Sequence, residues 1–593
     1  MFSHRFEKKP QGECLSLADA ALESDFQERY LSEYFDDLRS ICTDGRSVGR
    51  VRIVKIEGRE KERYTVSVGE EIVISAVAFS GALYALADLK DMALSRNGLR
   101  ACTFAGEPIC SFRAYRAYLP SREGKEDFFR SMRFLTDFKY NTVILEAGGA
   151  MEYERHPEIN RAWSRFMEDV RRYSGRSLEI QCGYPWEKDS IHAENADGEV
   201  LTKKETEEIV SRLKRMGLEV IPEVPLLSHA DYICLAHPEL AERKEDPYPD
   251  TYCPSNEGTY EIVFDILEEV IGVFQPRLIN IGHDEFYSVA LCDRCKEKDP
   301  VDLYVGDIVK IHNWLKKRGI RTMMWGEKLL DARRGEERIG GAGVDRINEA
   351  GYHVTVPPLW RCAEKLPKDI LMINWYWEFG AHLDQTYIKN GYSFVYGNLC
   401  CDEIDGWNER LKRGPLGGAV SNWGAFDRKS MQRNLQIYSL AASACLFWEG
   451  EAQDLSVRRN QIAESLYARR LAEIPKNSRV EIVSSADRGE AHRFFWCGEF
   501  AENEGELGKF CLLFEDGTGA EYPAVNGENT GSADTVSGSR EWAQTLYMCL
   551  PEQSDGEMRF RTVFCNPCPE KRIKGIVFEP LGGCKTRLIY KIL

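Results

Sequence analysis

The chain predicts an α/β architecture: a (β/α)8 TIM barrel with a small N-terminal α/β domain before it and a C-terminal β-sandwich after it. The first observation is that, between about 106 and 455, short apolar runs alternate with amphipathic helical stretches. The runs are FRAYRAY at 112, NTVILEA at 141, LEVIPEV at 218, RLINIGH at 277, IRTMMWG at 320, DILMINWYW at 369, YSFVYGN at 392 and GGAVSNWG at 417. Eight strand-helix units in series specify a closed parallel barrel rather than an open sheet. The second observation is the change after about 478 to short strands broken by Gly- and Asn-rich turns, the pattern of a sandwich.

The front part reads RVRIVKIEG and then YTVSVGEEIVISAVAFSGALYALADLKDM, two alternating strands around a Gly-Glu turn leading into a helix with Leu83, Leu86, Leu89 and Met92 every three residues. A small sheet with a covering helix is expected over 1–105. The barrel follows over 106–455, with helices such as KKETEEIVSRLKRMG at 203 and VDLYVGDIVKIHNWLKKRG at 301 between its strands. The run LAASACLFW at 440 reads as a buried helix. A helical linker is expected over 456–477 and the sandwich over 478–593, built from RVEIVSS, FCLLFED, TLYMCL, MRFRTVF, IKGIVFE and RLIYKIL.

Composition narrows the function. Hydrophobic residues at 43% and charged residues at 29% fit a soluble globular protein. A net charge of -17 repels nucleic acid and anionic membrane surfaces, so neither is an expected partner. No apolar run reaches the roughly 20 residues of a membrane span, and MFSHRFEKKPQGECLS lacks the apolar stretch of a secretory signal. The 19 cysteines are scattered without a disulfide framework, so reduced thiols in a cytoplasm are expected. Cys292/Cys295 and Cys565/Cys568 each have the spacing of half a zinc site, but neither neighbourhood supplies a His or Cys run to complete one. Ordinary thiols, no metal and no cofactor are the expectation. The oligomeric state stays open, a homodimer included.

The chemistry concentrates at Asp284 and Glu285, directly after LINIG. On a continuing strand neighbours point to opposite faces, so both serve one site only where the chain leaves its pleat, and Gly282 offers that exit. The C-terminal end of a parallel barrel strand is where such a fold keeps its reactive groups. The bland alternative is that Asp284 caps a helix and Glu285 is solvated.

RLINIGHDEF, with LEVIPEVPLLSH before it and MMWGEKL after it, resembles the catalytic domain of glycoside hydrolase family 20, the β-N-acetylhexosaminidases. The likeness spans roughly 60 to 450. By resemblance Asp284 holds the substrate's acetamido group and Glu285 is the general acid/base. Pro222, Glu223 and His229 match the third-strand motif, and Arg113 takes the place of the first-strand arginine that binds sugar hydroxyls. Trp325, Trp375 or Trp377, and Trp423 match the indoles that wall the sugar pocket. Tyr396, Asn398 and Asp402 compete for the seventh-strand tyrosine's role. Glu146, His156 and Glu327, at or just beyond strand ends, are second-line candidates. Two departures stand out: His283 replaces a small residue, and the eighth-strand Trp-x-Glu reads Trp423, Gly424, Ala425. The missing carboxylate could be replaced by Asp427, Asn422 or Asp402.

Adjacent carboxylates cannot easily straddle a sugar, so the pair favours a substrate-assisted route in which the 2-acetamido oxygen attacks the anomeric carbon. The expected activity is a retaining exo-β-N-acetylhexosaminidase acting on terminal GlcNAc or GalNAc of a carbohydrate substrate. Its competitors are a non-catalytic glycan-binding protein and a glycosidase for sugars without an acetamido group.

Overall fold

The computed structural model describes residues 1–2, 5–486 and 505–581, and the backbone of the strand Leu588–Ile592. The barrel strands are β1 (Phe112–Tyr118), β2 (Thr142–Glu146), β3 (Glu219–Leu226), β4 (Leu278–Gly282), β5 (Arg321–Trp325), β6 (Leu371–Asn374), β7 (Phe394–Tyr396) and β8 (Gly417–Ser421). They close in sequence order, β8 pairing with β1. All eight coincide with the apolar runs named above.

Period two decides what each strand sends inward. The barrel interior holds Ala114, Ile144, Ile221, Leu278, Met323, Leu371, Ile373, Val395 and Ala419, with Phe112 against them. Two residues further along from these come Arg116, Glu146, Glu223, Asn280, Trp325, Trp375 and Ser421. One parity therefore fills the barrel with aliphatic groups at its base and delivers polar and indole groups to its C-terminal mouth.

Local signals set the flanking helices. Thr202 and Glu205 form a reciprocal capping box at the start of Lys203–Arg215. Asp299 caps Pro300–Lys316, whose first residue is proline. The apolar Gln436–Glu449 is buried along almost its whole length, as LAASACLFW requires.

Before the barrel lies a six-stranded sheet covered by the helices Arg29–Ile41 and Phe79–Leu94. The hairpin Tyr64–Val68/Ile72–Ala76 and the second helix match the expectation from sequence. The helix Leu455–Ala472 packs as part of the core rather than as a spacer: buried Arg469 reaches Asp91 at 3.1 Å and Asp137 at 3.2 Å, joining the front domain to the barrel.

The C-terminal strands form a four-stranded and a three-stranded sheet, both antiparallel. Val480, Ile482 and Phe564 of one pack on Phe510, Leu512 and Ile576 of the other, which makes a sandwich. TLYMCL is only half strand. Ser539 caps a short helix, Arg540–Thr545, and the strand begins at Cys549. The strand Gly519–Val525 had no counterpart in the sequence reading.

Candidate active site

At the end of β4 the backbone turns left-handed at Gly282 (φ 72°), His283 (φ 71°) and Glu285 (φ 50°). A Cβ on Gly282 would sit 3.1 Å from Pro225 Cα and 3.3 Å from Leu226 N, so that position demands glycine twice over. The chain leaves its pleat here, and adjacent Asp284 and Glu285 face one imidazole. His229 Nε2 lies 3.5 Å from Asp284 Oδ2 and 3.5 Å from Glu285 Oε2. Backbone strain of this kind clusters at active sites and ligand clamps. His283 turns away from the mouth, between Ile281 O at 2.8 Å and Asp307 Oδ2 at 2.8 Å, where it braces the back of β4.

Each carboxylate is further tied. Ser190 donates to Glu285 Oε2 from its amide at 2.9 Å and its hydroxyl at 3.1 Å. The Glu285 amide donates to Glu327 Oε1 at 2.9 Å, and Trp375 Nε1 donates to Glu327 Oε2 at 3.1 Å. Glu327 thus aligns both the acid/base candidate and one wall of the pocket. The His229 amide donates to Asp189, and its Nδ1 faces Ser190 O at 2.9 Å.

Charges follow from burial and neighbours. Burial works against a charged His229, yet Asp189, Asp284 and Glu285 outweigh it and hold the ring well above its ordinary value. Burial likewise opposes an ionised Asp284, and His229 overcomes it, so this carboxyl stays below the usual range. Burial and the stacked His229 ring hold His192 well below its ordinary value; the two rings lie 4.5 Å apart. Burial pushes Glu146 up to about 7 against the pull of Arg116, and Glu327 up to about 7 against Lys328.

Arg116 is the arginine of this mouth, and Arg113 is not. Arg113 sits at the opposite end of β1 on the outer parity. There it donates to Glu62 at 2.6 and 2.8 Å and to the carbonyls of Lys139 and Cys110, each at 2.8 Å, tying the barrel to the front domain. Arg116 donates to Glu223 at 3.2 Å through two nitrogens and to Glu146, and its guanidinium lies 3.6 Å from the Trp423 ring centroid. Glu146 and Glu223 are register partners on β2 and β3, so without Arg116 two buried carboxyls would face each other unscreened. Arg116→Ala is expected to lose roughly 3–5 kcal/mol of stability. Arg113→Met should lower stability while leaving substrate affinity unchanged. Denaturant titration and KM measurement on both variants check this, and a lost substrate affinity in Arg113→Met would return that residue to the site.

The indoles stand where β5, β6 and β8 end. Trp325 is buried, with Nε1 3.5 Å from Glu223 Oε1; Trp375 and Trp423 are partly exposed. Trp423 Nε1 donates to Asn398 Oδ1 at 3.0 Å. Trp377 is buried, donates to Gly397 O at 2.8 Å, and with Trp375, Asn398 and Trp423 lines a cavity of about 390 Å³. Of the three β7 candidates, only Asn398 lies at the mouth: Tyr396 has the outer parity and donates to Asp384 at 2.9 Å, and Asp402 pairs with Arg459 at 3.2 Å. His156 falls outside, in a surface group with Glu158, His237 and Asp265. Sequence reading missed Arg116, Asp189, Ser190 and His192. Parity along FRAYRAY would have found Arg116; the other three sit in a long loop with no periodic signal.

Residues 149–399 match the model of glycosyl hydrolase family 20, catalytic domain. A β-hexosaminidase of Porphyromonas gingivalis is 26% identical over 145 residues, 22% of this chain and 19% of that protein, so the match spans about a fifth of the relative's length. The β-N-acetylhexosaminidase of Streptomyces coelicolor A3(2) shares the fold with a TM-score of 0.58 at 15% identity, covering 79% of this chain and 94% of that one. The Bacteroides fragilis β-N-acetylhexosaminidase gives a TM-score of 0.55 at 15% identity, over 77% of this chain and 92% of that one. The family 20 exo-β-N-acetylglucosaminidase of Vibrio harveyi, solved with N-acetylglucosamine, gives 0.57 at 17% identity, over 79% and 76%. With the Asp-Glu pair bent out of β4, the stretch 149–399 that carries β3 to β7 is similar to the catalytic domain of glycosyl hydrolase family 20.

Proposed function

We propose that this protein is a retaining exo-β-N-acetylhexosaminidase that hydrolyses terminal β-linked GlcNAc or GalNAc through an oxazolinium intermediate. The observation that carries the reading is the shared imidazole: Asp284 and Glu285 are adjacent in sequence yet both lie 3.5 Å from His229 Nε2. Glu285 protonates the leaving oxygen, and Asp284 orients the acetamido group and offsets the positive charge that develops on its nitrogen. The tethered acetamido oxygen replaces an enzyme nucleophile, with effective molarities of order 10⁵ M or more when well oriented. Other carboxylates at the mouth are already engaged, Glu146 and Glu223 by Arg116 and Glu327 by Trp375 and the Glu285 amide. That engagement speaks against a different carboxylate acting as nucleophile. A cytoplasmic location fits the described cysteines, all of which are free thiols.

One feature favours a second reading, a glycan-binding protein without turnover. The eighth-strand carboxylate is absent at Ala425, and its possible substitutes are committed elsewhere: Asp427 Oδ1 accepts from Ser430 N, Asn422 Oδ1 from Gly424 N, and Asp402 holds Arg459. A site lacking a polar group for a hydroxyl discriminates by only about 1–3 kcal/mol. The enzyme is therefore expected to accept β-GalNAc, or GlcNAc substituted at O6, with kcat/KM within roughly 10² of β-GlcNAc. A panel of nitrophenyl β-glycosides reads both points. No turnover on any member supports the binder, activity on plain glucosides supports a non-acetamido enzyme, and preference for unsubstituted GlcNAc well beyond a thousandfold would show that another residue reads O4 and O6.

A further inference from the structure

The loop that leaves Asp284 and Glu285 carries Cys292 and Cys295, and the fold seats both against Glu242 and Cys253 from the loop after β3. All four are buried, and their carboxylate and sulfur atoms lie within 4.8 Å of one another. Cys253 Sγ is 3.4 Å from Cys292 Sγ and 3.5 Å from Cys295 Sγ. A disulfide would bring one pair to about 2.05 Å and leave the third sulfur unexplained. Tetrahedral coordination with Zn–S bonds of about 2.3 Å places sulfurs about 3.8 Å apart, which is near the observed spacing.

Glu242 supplies an independent observation. Its Oε1 accepts the amides of Leu291 at 2.7 Å and Cys292 at 3.1 Å, whereas its Oε2 is buried with no hydrogen-bond partner. A buried carboxylate oxygen without a partner is costly, and a cation among these groups would satisfy it. Backbone geometry is preset on both sides. Cys295 N and Lys296 N each donate to Cys292 O at 2.9 Å, turning the Cys-x-x-Cys loop on itself, and an antiparallel bridge between Ala241 and Tyr252 joins the residues beside Glu242 and Cys253. Outside the cluster, Lys298 Nζ lies 2.8 Å from Ser255 Oγ, which is 3.1 Å from Cys295 Sγ, so a positive charge supports one prospective thiolate.

We propose that Cys253, Cys292, Cys295 and Glu242 hold a structural zinc ion that clamps the loop after β4 to the loop after β3. Three thiolates and one carboxylate in a closed tetrahedral set suit zinc, and binding releases the thiol protons to solvent. The clamp fixes the far end of the segment that begins at Asp284. It does not depend on the hydrolase reading, because metal content is read without substrate.

Full-length protein purified under reducing conditions without chelator is expected to contain about one zinc per chain by mass spectrometry of the metal. Cobalt(II) exchanged into it should give thiolate-to-metal charge-transfer absorption, and Cys292→Ser/Cys295→Ser should lose both signals. Should that variant not fold, Glu242→Gln decides: its zinc affinity, read by competition with a chromophoric chelator, should fall at least tenfold, in line with loss of a ligand. Wild-type protein without zinc and without a cobalt charge-transfer band, or a disulfide among the three cysteines, or zinc affinity unchanged by Glu242→Gln, would overturn the assignment.

Discussion

Glu285→Gln is expected to lower turnover on a glycoside with a poor leaving group by roughly 10² to 10⁴, the usual worth of general acid catalysis. The amide retains the size of the side chain and an acceptor for Ser190, so the loss reads proton transfer rather than collapse of the loop. A nitrophenyl leaving group with strong electron withdrawal needs little protonation and should recover much of the rate. Equal losses on both substrates would remove Glu285 from the acid position. Because Ser190 and Glu327 hold this residue through its side chain and its amide, their variants should give smaller losses of the same leaving-group dependence.

Asp284→Asn is expected to weaken binding of a thiazoline analogue of the oxazolinium far more than binding of the free product sugar. On the proposed route the negative Asp284, kept ionised by His229, would face the positive charge that exists only on the bicyclic intermediate, so its contribution would be concentrated there. Wild-type enzyme should bind the thiazoline at least 10² tighter than free sugar, as transition-state mimics generally do. Comparable inhibition constants for the two would contradict a substrate-assisted route.

Much of this was legible in the sequence because a parallel barrel writes itself as repeated apolar runs. Each of the eight runs became a strand, and the residues just beyond them became the mouth. Misplacing Arg113 shows where that reading stops. FRAYRAY holds two arginines three apart, which on a strand means opposite faces, and the inward parity shared with Phe112 and Ala114 belongs to Arg116. Loop residues were a different matter. Asp189, Ser190 and His192 reach the site from the 72-residue excursion between β2 and β3, residues 147–218, whose conformation depends on tertiary contacts, so no local pattern announced them. Long-range assembly also hid the four-residue cysteine and glutamate cluster, since Cys253 lies 39 positions before Cys292. In the sandwich, TLYMCL reads as one apolar stretch, while the Ser539 cap turned the residues before Leu546 into helix.

On the proposed route the substrate's own acetamido oxygen attacks the anomeric carbon at the Asp284 and Glu285 pair. This attack is tested most directly by kcat/KM across a series of nitrophenyl β-glucosaminides bearing N-acetyl, N-monofluoroacetyl, N-difluoroacetyl and N-trifluoroacetyl groups. Each fluorine withdraws electrons from the amide oxygen without altering the leaving group, so a steep, progressive fall in kcat/KM is the predicted result. Rates independent of fluorination would contradict the account and point to a nucleophile supplied by the protein.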